Sequence, residues 1–164
     1  MNHISIVGID LAKHVFQLHA IDAHGRKVFG KAVSRQQLRL TLSRMPPCRV
    51  AMEACGSAHY WAREIRAMGH DARLLPPQAV KPFVQGHKND ARDAAGIAEA
   101  AARPATPHVA IKTEAQQALQ AVHRVRTRLV RERTAIVALA NKLARICWSV
   151  LAHGRPYQPQ GQAI

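Results

Sequence analysis

The chain has 164 residues, enough for one ordinary domain and an appendage. Its hydrophobic content of 48% excludes wholesale disorder, and its formal net charge of +14 favours a polyanionic partner, most simply nucleic acid. Aromatic residues make up only 4%, so binding directed at the nucleic-acid backbone is favoured over stacking of bases on an aromatic platform.

The first predicted elements are three strands. Residues 4–9 form an apolar, β-branched run typical of a strand buried on both faces, and Asp10 ends it. A second strand is expected over residues 15–20, and a turn at Gly25 leads to a third over residues 26–33. An Asp at the end of a central strand costs stability unless a positive group meets it. A solvated Asp is the commoner case, so Asp10 acquires a role only if other residues join it.

Helices and short strands alternate in the next part of the chain. A helix is predicted from an N-cap at Ser34 to about residue 44, and a strand follows over residues 48–52. The next helix covers residues 59–68 and is closed by Gly69, and a strand over 71–75 comes after it. An Ala-rich helix then runs from residue 89 or 90 to before Pro104. This alternation is typical of an α/β domain whose later strands are parallel.

The last predicted element is a long basic helix. No Pro or Gly occurs from Thr113 to Leu151, so we expect one helix or two joined end to end. Its apolar residues recur at steps of seven, as in a coiled coil, at Ala115, Val122, Leu129, Ile136, Leu143 and Val150. Glu132 interrupts the second seam position. We predict an α/β domain over residues 1–110, a basic helical arm over 111–153 and a loose tail over 154–164.

Four carboxylates lie where chemistry can use them. Asp10 and Glu53 end strands, and Asp90 and Asp93, three residues apart, share a face at a helix start. Strand ends and helix starts gather at one edge of a parallel α/β sheet. Four carboxylates converging there would repel one another unless divalent cations are bound, and Mg²⁺ suits an all-oxygen site. Two such ions can activate a water and stabilise the leaving oxygen in phosphodiester cleavage.

Each of these carboxylates also has a purely structural explanation. Asp90 and Asp93 can be first-turn acids favoured by the helix dipole, and Glu53 can pair with Lys88 or Arg92. The residue patterns leave both explanations open.

Six basic residues are candidate nucleic-acid contacts. Lys13 follows Asp10 and either neutralises a carboxylate or contacts a phosphate. The full set is Lys13, Lys88, Arg92, Arg124, Arg128 and Arg131.

Four motifs place the chain beside a known family: GIDLAK, MEACGSAHYW, LLPPQAVKPFVQGHKNDARDA and EAQQALQAVHRVRTRLVRERTA. With them it resembles the N-terminal domain of the DEDD transposases of bacterial insertion sequences, the insertion-sequence-110 family, over nearly all of residues 1–135. The resemblance implies a ribonuclease-H-like (RuvC-like) mixed sheet flanked by helices. It also implies that Asp10, Glu53, Asp90 and Asp93 are the catalytic metal ligands, holding two Mg²⁺ ions. The implied partners are DNA, a structured guide RNA and further transposase subunits.

The chain departs from that family after about residue 135. Residues 137–158 resemble the extreme C-terminal helix of full-length members, as if an internal segment with the nucleophilic Ser had been deleted, and Ser149 does not match that Ser. We therefore expect a shortened transposase that is incomplete alone and acts as a homo-oligomer or with full-length transposase.

Other features of the sequence bear on where the protein acts. The three cysteines form no CxxC pair or zinc-ligand spacing, so they are expected to be reduced thiols of a cytoplasmic protein. The N-terminus has no signal-peptide pattern, and no stretch reaches about 18 uninterrupted apolar residues, so no membrane partner is expected.

Three other functions are weighed against this expectation. One is a stand-alone nuclease resembling Holliday-junction resolvases, with the same four carboxylates and no Ser. A second is a non-catalytic nucleic-acid-binding module that assembles with intact transposase. An actin-like kinase or ATPase also opens with a GID strand and a hairpin, but the second glycine-rich phosphate loop it requires does not follow.

Overall fold

A computed structural model describes residues 3–84 and 90–154 of the chain. The strands are β1 (Ile6–Leu11), β2 (Val15–Ile21), β3 (Lys27–Ser34), β4 (Arg49–Glu53) and β5 (Asp71–Leu75). The helices are α1 (Arg35–Ser43), α2 (Ala58–Ala67), α3 (Pro77–Val80) with a 3-10 turn after it (Lys81–Phe83), α4 (Asp90–Ala102) and α5 (Glu114–His153).

The strands form one mixed sheet in the order β3-β2-β1-β4-β5. β1, β2 and β3 are antiparallel neighbours, whereas β4 runs parallel to β1 and β5 runs parallel to β4. The prediction that the later strands are parallel is therefore confirmed. β1 is central, as its fully apolar run requires.

Helices cover both faces of the sheet. On one face α1 and α2 bury Leu38, Leu42 and Trp61 against the sheet, and the Trp61 ring meets Phe16 edge to face at 5.3 Å between centroids. On the other face α4 packs Ile97 and its alanines against β1 and β4. Small side chains let α4 lie close to the sheet, which brings its first turn near the strand ends.

Helix α1 begins where the sequence predicts. The Ser34 hydroxyl accepts a hydrogen bond from the Gln37 backbone N–H at 3.3 Å, and the Gln37 side-chain oxygen accepts one from the Ser34 N–H at 2.9 Å. This capping box satisfies two backbone donors that a helix start otherwise leaves unpaired. It fixes the end of β3 and the start of α1 at adjacent residues.

Two local elements differ from the sequence prediction. β5 ends at Leu75 as predicted, but Pro77 then begins a short helix that the sequence does not predict, because the fixed φ of proline suits the first helical position. The segment before α5, for which the sequence predicts no strand, pairs with β5 through a bridge between Val109 and Leu74.

Helix α5 is one helix of 40 residues. The chain divides into two compact units, Met1–Ala115 and Gln116–Ile164, and nearly all of α5 lies in the second unit. Its apolar residues are exposed within that unit, for example Leu129 at 59% and Ile136 at 68%. The coiled-coil pairing of this seam remains a prediction.

The same helix is long and apolar enough, by length and composition, to cross a membrane. One such helix is weak evidence of a membrane span, because core helices and signal sequences meet the same criteria.

Candidate functional site

Two of the four predicted carboxylates lie at the ends of neighbouring parallel strands: Asp10 is the next-to-last residue of β1, and Glu53 is the last residue of β4. Ile9 on β1 is paired with Met52 on β4, so Asp10 and Glu53 follow at the next positions of the two strands. The side chains of Ile9 and Met52 lie in the core under α1 and α2. Since successive side chains of a strand alternate between faces, Asp10 and Glu53 point to the α4 side of the sheet.

Helix α4 supplies the other two carboxylates from its first turn. The side-chain oxygens of Asp10, Asp90 and Asp93 lie within 4.8 Å of one another. Asp10 and Asp93 are half-buried, whereas Asp90 is exposed. The three-residue spacing that predicts a shared helix face thus brings both aspartates to the end of β1.

Glu53 lies beside this group of three in a shared cavity. The cavity has a volume of about 520 Å³ and is lined by Asp10, Glu53, Pro77, Val80, Lys81, Val84, Asp90 and Asp93. All four predicted carboxylates therefore face one space at one edge of the sheet. Glu53 does not belong to the group of three carboxylates within 4.8 Å of one another, so the four carboxylates are not all equally close.

Lys81 is a cavity residue that was not predicted from the sequence. It begins the 3-10 turn after α3 and is exposed. In the sequence the Pro-Pro pair before it indicates only the end of a strand, whereas in the structure the pair also begins a helix. That helix start carries Lys81 to the carboxylates, where its ammonium group offers a positive charge to an anionic ligand.

The close approach of α4 to β1 depends on a residue without a side chain. A Cβ on Gly8 would lie 2.6 Å from the backbone nitrogen of Ala98 and 2.9 Å from its Cβ. Gly8 is two residues before Asp10 and faces the same side of the sheet. The missing side chain thus permits the contact that sets the position of Asp93 relative to Asp10.

The chemistry of this donor set fits a hard divalent cation. Three carboxylates within 4.8 Å repel one another when ionised, and a bound cation relieves that repulsion. Every donor is a carboxylate oxygen, which suits Mg²⁺, Mn²⁺ or Ca²⁺ better than softer metals. The open cavity beside the cluster leaves room for waters or a phosphate as further ligands.

The predicted basic contacts fall in different parts of the chain. Lys13 lies in the exposed bend between β1 and β2, two residues after the end of β1, and Arg92 is exposed in the first turn of α4. Lys88 lies outside the described residues. Arg124, Arg128 and Arg131 are exposed on α5, in the second unit.

Arg128 is already engaged by an acidic residue. Its Nε donates to Glu132 Oε1 at 2.7 Å, one helical turn along. Both side chains are well exposed, so the pair is weak and can be exchanged for a phosphate contact.

The loop between β4 and α2 holds Cys55 and Ser57, whose Sγ and Oγ atoms are 3.5 Å apart. Both residues lie in that loop, Cys55 directly after Ala54 and Ser57 directly before Ala58.

Comparison with known proteins is consistent with this arrangement. A family model for the DEDD transposases of the insertion-sequence-110 type, described as "Transposase", matches residues 7–147. The chain is 55% identical over 134 residues to a probable family 20 transposase of Pseudomonas aeruginosa, covering 82% of this chain and 40% of that protein. It is 48% identical over 133 residues to the transposase for insertion sequence element IS1328 of Yersinia enterocolitica, covering 81% and 40%.

These matches bear on length as well as on family. The chain spans about two fifths of the length of those relatives. The family match continues past residue 135, across the predicted internal deletion, and does not test whether a segment is missing there.

Among solved structures the fold resembles Thermus thermophilus RuvC. The TM-score is 0.50 at 14% sequence identity, over 63% of this chain and 99% of the RuvC chain. The likeness concerns the fold, and it confirms the predicted RuvC-like mixed sheet flanked by helices.

Proposed function

We propose, from the premise that this chain belongs to the DEDD transposase family of insertion sequences, that its α/β unit binds DNA and cleaves or transfers DNA strands with divalent metal ions. The observation that carries the proposal is the convergence of Asp10, Asp90 and Asp93 within 4.8 Å, beside Glu53 in the same cavity. A structural explanation of the four acids would not require them to share one cavity.

The metal ligands we propose are those four carboxylates, and the metal we propose is Mg²⁺, as two ions. When bound, the metal supplies an activated water and a positive charge that stabilises the leaving oxygen. Asp10 and Asp93 are the best placed to hold a fixed geometry, because each is half-buried on an ordered strand or helix. Exposed Asp90 and the more distant Glu53 would supply further carboxylate oxygens to the metal.

DNA is the proposed substrate because the chain as a whole is strongly basic and cationic side chains accompany the carboxylates. The chain carries 24 Lys and Arg against 10 Asp and Glu, and Lys81 lines the cavity itself. Lys13 and Arg92 flank it from the β1–β2 bend and from α4. These cations offset the repulsion between a phosphodiester and four carboxylates, and they hold the strand by charge without reading its sequence.

The remaining parts of the family's activity are proposals on the same premise. We propose that transposition needs a Ser-bearing domain besides these 164 residues, supplied by a longer polypeptide or by an intact transposase. A structured guide RNA, assembly into homo-oligomers and a cytoplasmic location are proposed from the family resemblance.

A second candidate function is a nuclease that acts alone on branched DNA. It is favoured by one observation, that all four carboxylates line a single cavity within this chain. On this alternative no Ser domain is needed for strand cleavage. The binding-module alternative predicts nucleic-acid binding without metal-dependent cleavage.

The experiment that tests the proposal is a cleavage assay on branched and duplex DNA with Mg²⁺. Asp93→Asn is compared with Glu99→Gln, a matched change on the same helix at an exposed acid paired with Arg103. The assay is run with the chain alone and with a full-length transposase whose own metal-binding carboxylates are replaced. Under whichever condition supports nicking, we expect the wild type and Glu99→Gln to nick DNA and Asp93→Asn to be inactive, since the amide removes the charge that holds the ion. Equal activity of the two variants would refute the assignment of the site.

The same assay separates the three functions. Nicking by the chain alone supports the resolvase-like nuclease, and nicking only together with the carboxylate-replaced transposase supports the shortened transposase. DNA binding without nicking under either condition supports the non-catalytic module.

A further inference from the structure

A second cavity, of about 460 Å³, lies between the N-terminal halves of α1 and α2. It is lined by Arg35, Gln36, Arg39, Tyr60 and Trp61. None of these residues belongs to the metal site or to the predicted nucleic-acid contacts. We call it the arginine–tyrosine cavity.

The cavity opens at the same edge of the sheet as the carboxylates. β3 ends at Ser34, which pairs with Val15 on β2, while Leu11 at the end of β1 pairs with Phe16. β3 therefore ends at the edge where β1 ends, two strands away, or about 10 Å along the sheet. The cavity lies on the α1–α2 face of the sheet and the carboxylates face α4, so a strand that reaches both must pass around this edge of the sheet.

The positive charge of Arg35 in this cavity does not stabilise helix α1. Arg35 is the first residue of α1, and the first turn of that helix contains no acid. A cation at a helix N-terminus opposes the helix dipole. Within the described residues Arg35 forms no salt bridge, and its guanidinium lies 5.7 Å from the centre of the Trp61 ring. Its charge is therefore available to an anion.

The aromatic wall of the cavity is held in place by a second arginine. Arg39 donates a hydrogen bond to the Tyr60 hydroxyl at 2.6 Å and also pairs with Glu64. Tyr60 stands edge to face with Trp61, at 5.4 Å between ring centroids, and keeps 36% of its surface exposed. A partly exposed ring in a fixed orientation is a platform on which a base can stack.

One buried donor beside the cavity lacks an acceptor. Trp61 is 1% exposed, and its indole Nε1 has no hydrogen-bond partner among the described residues. An unsatisfied buried donor is unusual in a native protein. Trp61 also lines the cavity, but its Nε1 is inaccessible to solvent, so this donor is not assigned to the ligand.

We propose that the arginine–tyrosine cavity binds one nucleotide of a single DNA strand. The base stacks on Tyr60, and the phosphate pairs with Arg35. This inference rests on the proposed function in one respect, that the same strand continues to the carboxylate cavity. The low aromatic content of the chain favours binding to the nucleic-acid backbone, and base stacking on Tyr60 would be a local exception to that mode.

The test measures binding of a fluorescein-labelled single-stranded oligothymidine to the full chain by anisotropy, in EDTA and over a range of salt. Arg35→Gln is compared with Arg44→Gln, an equal charge change at the other end of α1. Arg35→Gln is expected to reduce the slope of log affinity against log salt by about 0.7, the value for one phosphate contact on a single strand. Arg44→Gln should leave the slope unchanged.

The stacking half of the proposal has its own variants. Tyr60→Leu keeps an apolar contact with Trp61 but removes the aromatic face, and it should weaken binding about tenfold without changing the salt slope. Tyr60→Phe keeps the ring and should bind as the wild type does. Thermal melting monitored by circular dichroism verifies that each variant is folded, and the exposed Arg35→Gln change tests the site even if Tyr60→Leu is unstable.

Two results would overturn the proposal: equal salt slopes for Arg35→Gln and Arg44→Gln, or wild-type affinity in a folded Tyr60→Leu variant. Because the titration is done in EDTA, it does not depend on the metal site. Failure of the proposed function would instead appear as Mg²⁺-dependent cleavage that Asp93→Asn leaves intact.

Discussion

The Cβ atom that Gly8 lacks would overlap the carbonyl oxygen of Ala94. No real Cβ tolerates so close an approach to a backbone atom, so any larger residue at position 8 must push α4 away from β1. Ala94 follows Asp93 directly, and Asp10 is two residues beyond Gly8. The contact between a strand glycine and a helix carbonyl therefore determines how closely the two aspartates approach.

Gly8→Ala is expected to loosen the metal site and the fold together. Overpacking of this kind costs about 1–3 kcal/mol, and the displaced helix carries Asp90 and Asp93 away from Asp10. The measurements are the melting temperature and a titration with Mn²⁺. Gly30→Ala is the control, since a Cβ there meets only the flexible end of Lys27 within 3.4 Å. Wild-type stability and metal affinity in Gly8→Ala would contradict this explanation.

Asp22 is expected to make stability depend on acid pH. Its Oδ1 accepts hydrogen bonds from the Arg26 and His24 backbone N–H groups, and Oδ2 accepts one from Arg26 Nε. The Arg26 backbone N–H is the main cause that holds the pKa of this carboxyl below its usual value, helped by the bond from His24 and the Arg26 side chain. A lowered folded-state pKa stabilises the fold above the unfolded-state pKa, near 3.9, and this contribution is lost as pH falls through the folded-state pKa.

Asp22→Asn keeps an oxygen acceptor but removes the charge. We expect a lower melting temperature than the wild type at neutral pH, and a difference that shrinks as the solution is acidified. Glu99→Gln, at an exposed acid, should show no such convergence. A constant difference at every pH would mean that the Asp22 charge does not stabilise the β2–β3 turn.

The arginines of α5 are expected to contribute charge-based binding to duplex DNA. Replacing Arg124, Arg128 and Arg131 together by Gln should reduce the salt slope by about 0.9 for each phosphate that the variant no longer neutralises. Glu132→Gln is the control. Because Glu132 forms an ion pair with Arg128, its neutralisation frees that arginine and should leave DNA binding equal or stronger. An unchanged slope in the triple variant would assign this helix face to a protein partner or to solvent.

The three cysteines are expected to differ in reactivity. Cys48 is buried, and its burial raises the pKa of the thiol, whereas Cys55 and Cys147 are exposed. His70 further restrains this region, because its Nδ1 accepts from the Cys48 backbone N–H at 3.2 Å while Nε2 lies 3.0 Å from the Leu42 carbonyl oxygen. Mass spectrometry after brief native alkylation should find Cys55 and Cys147 modified first. Rapid modification of Cys48 in the folded protein would show that this part of the core opens readily.

Most of the sheet was predictable because its signals are local. The apolar run that ends at Asp10, the Ser34 cap and the glycine stop at Gly69 each fix an element within a few residues, and the structure agrees. The three-residue spacing of Asp90 and Asp93 likewise indicates their shared direction.

The features missed from the sequence depend on contacts between distant parts of the chain. Nothing near Gly8 indicates that α4 will pack against it, and Val109 becomes part of the sheet edge only because Leu74 lies beside it. The arginine–tyrosine cavity joins α1 to α2 through Arg39 and Tyr60, 21 positions apart. Such pairings are set by tertiary packing, which local sequence patterns do not encode.

The most direct test of the metal site is a crystal structure of the chain grown or soaked with Mn²⁺, examined by anomalous scattering. Mn²⁺ binds the same oxygen ligands as Mg²⁺ and can be located without ambiguity. We expect anomalous peaks in the cavity formed by Asp10, Glu53, Asp90 and Asp93, at about 2.0–2.3 Å from carboxylate oxygens. Asp10→Asn crystals treated in the same way should lose those peaks while the fold is retained. A Mn²⁺-treated wild-type crystal with no peak in this cavity, or with peaks that persist in Asp10→Asn, would contradict the assignment of these carboxylates as the metal centre.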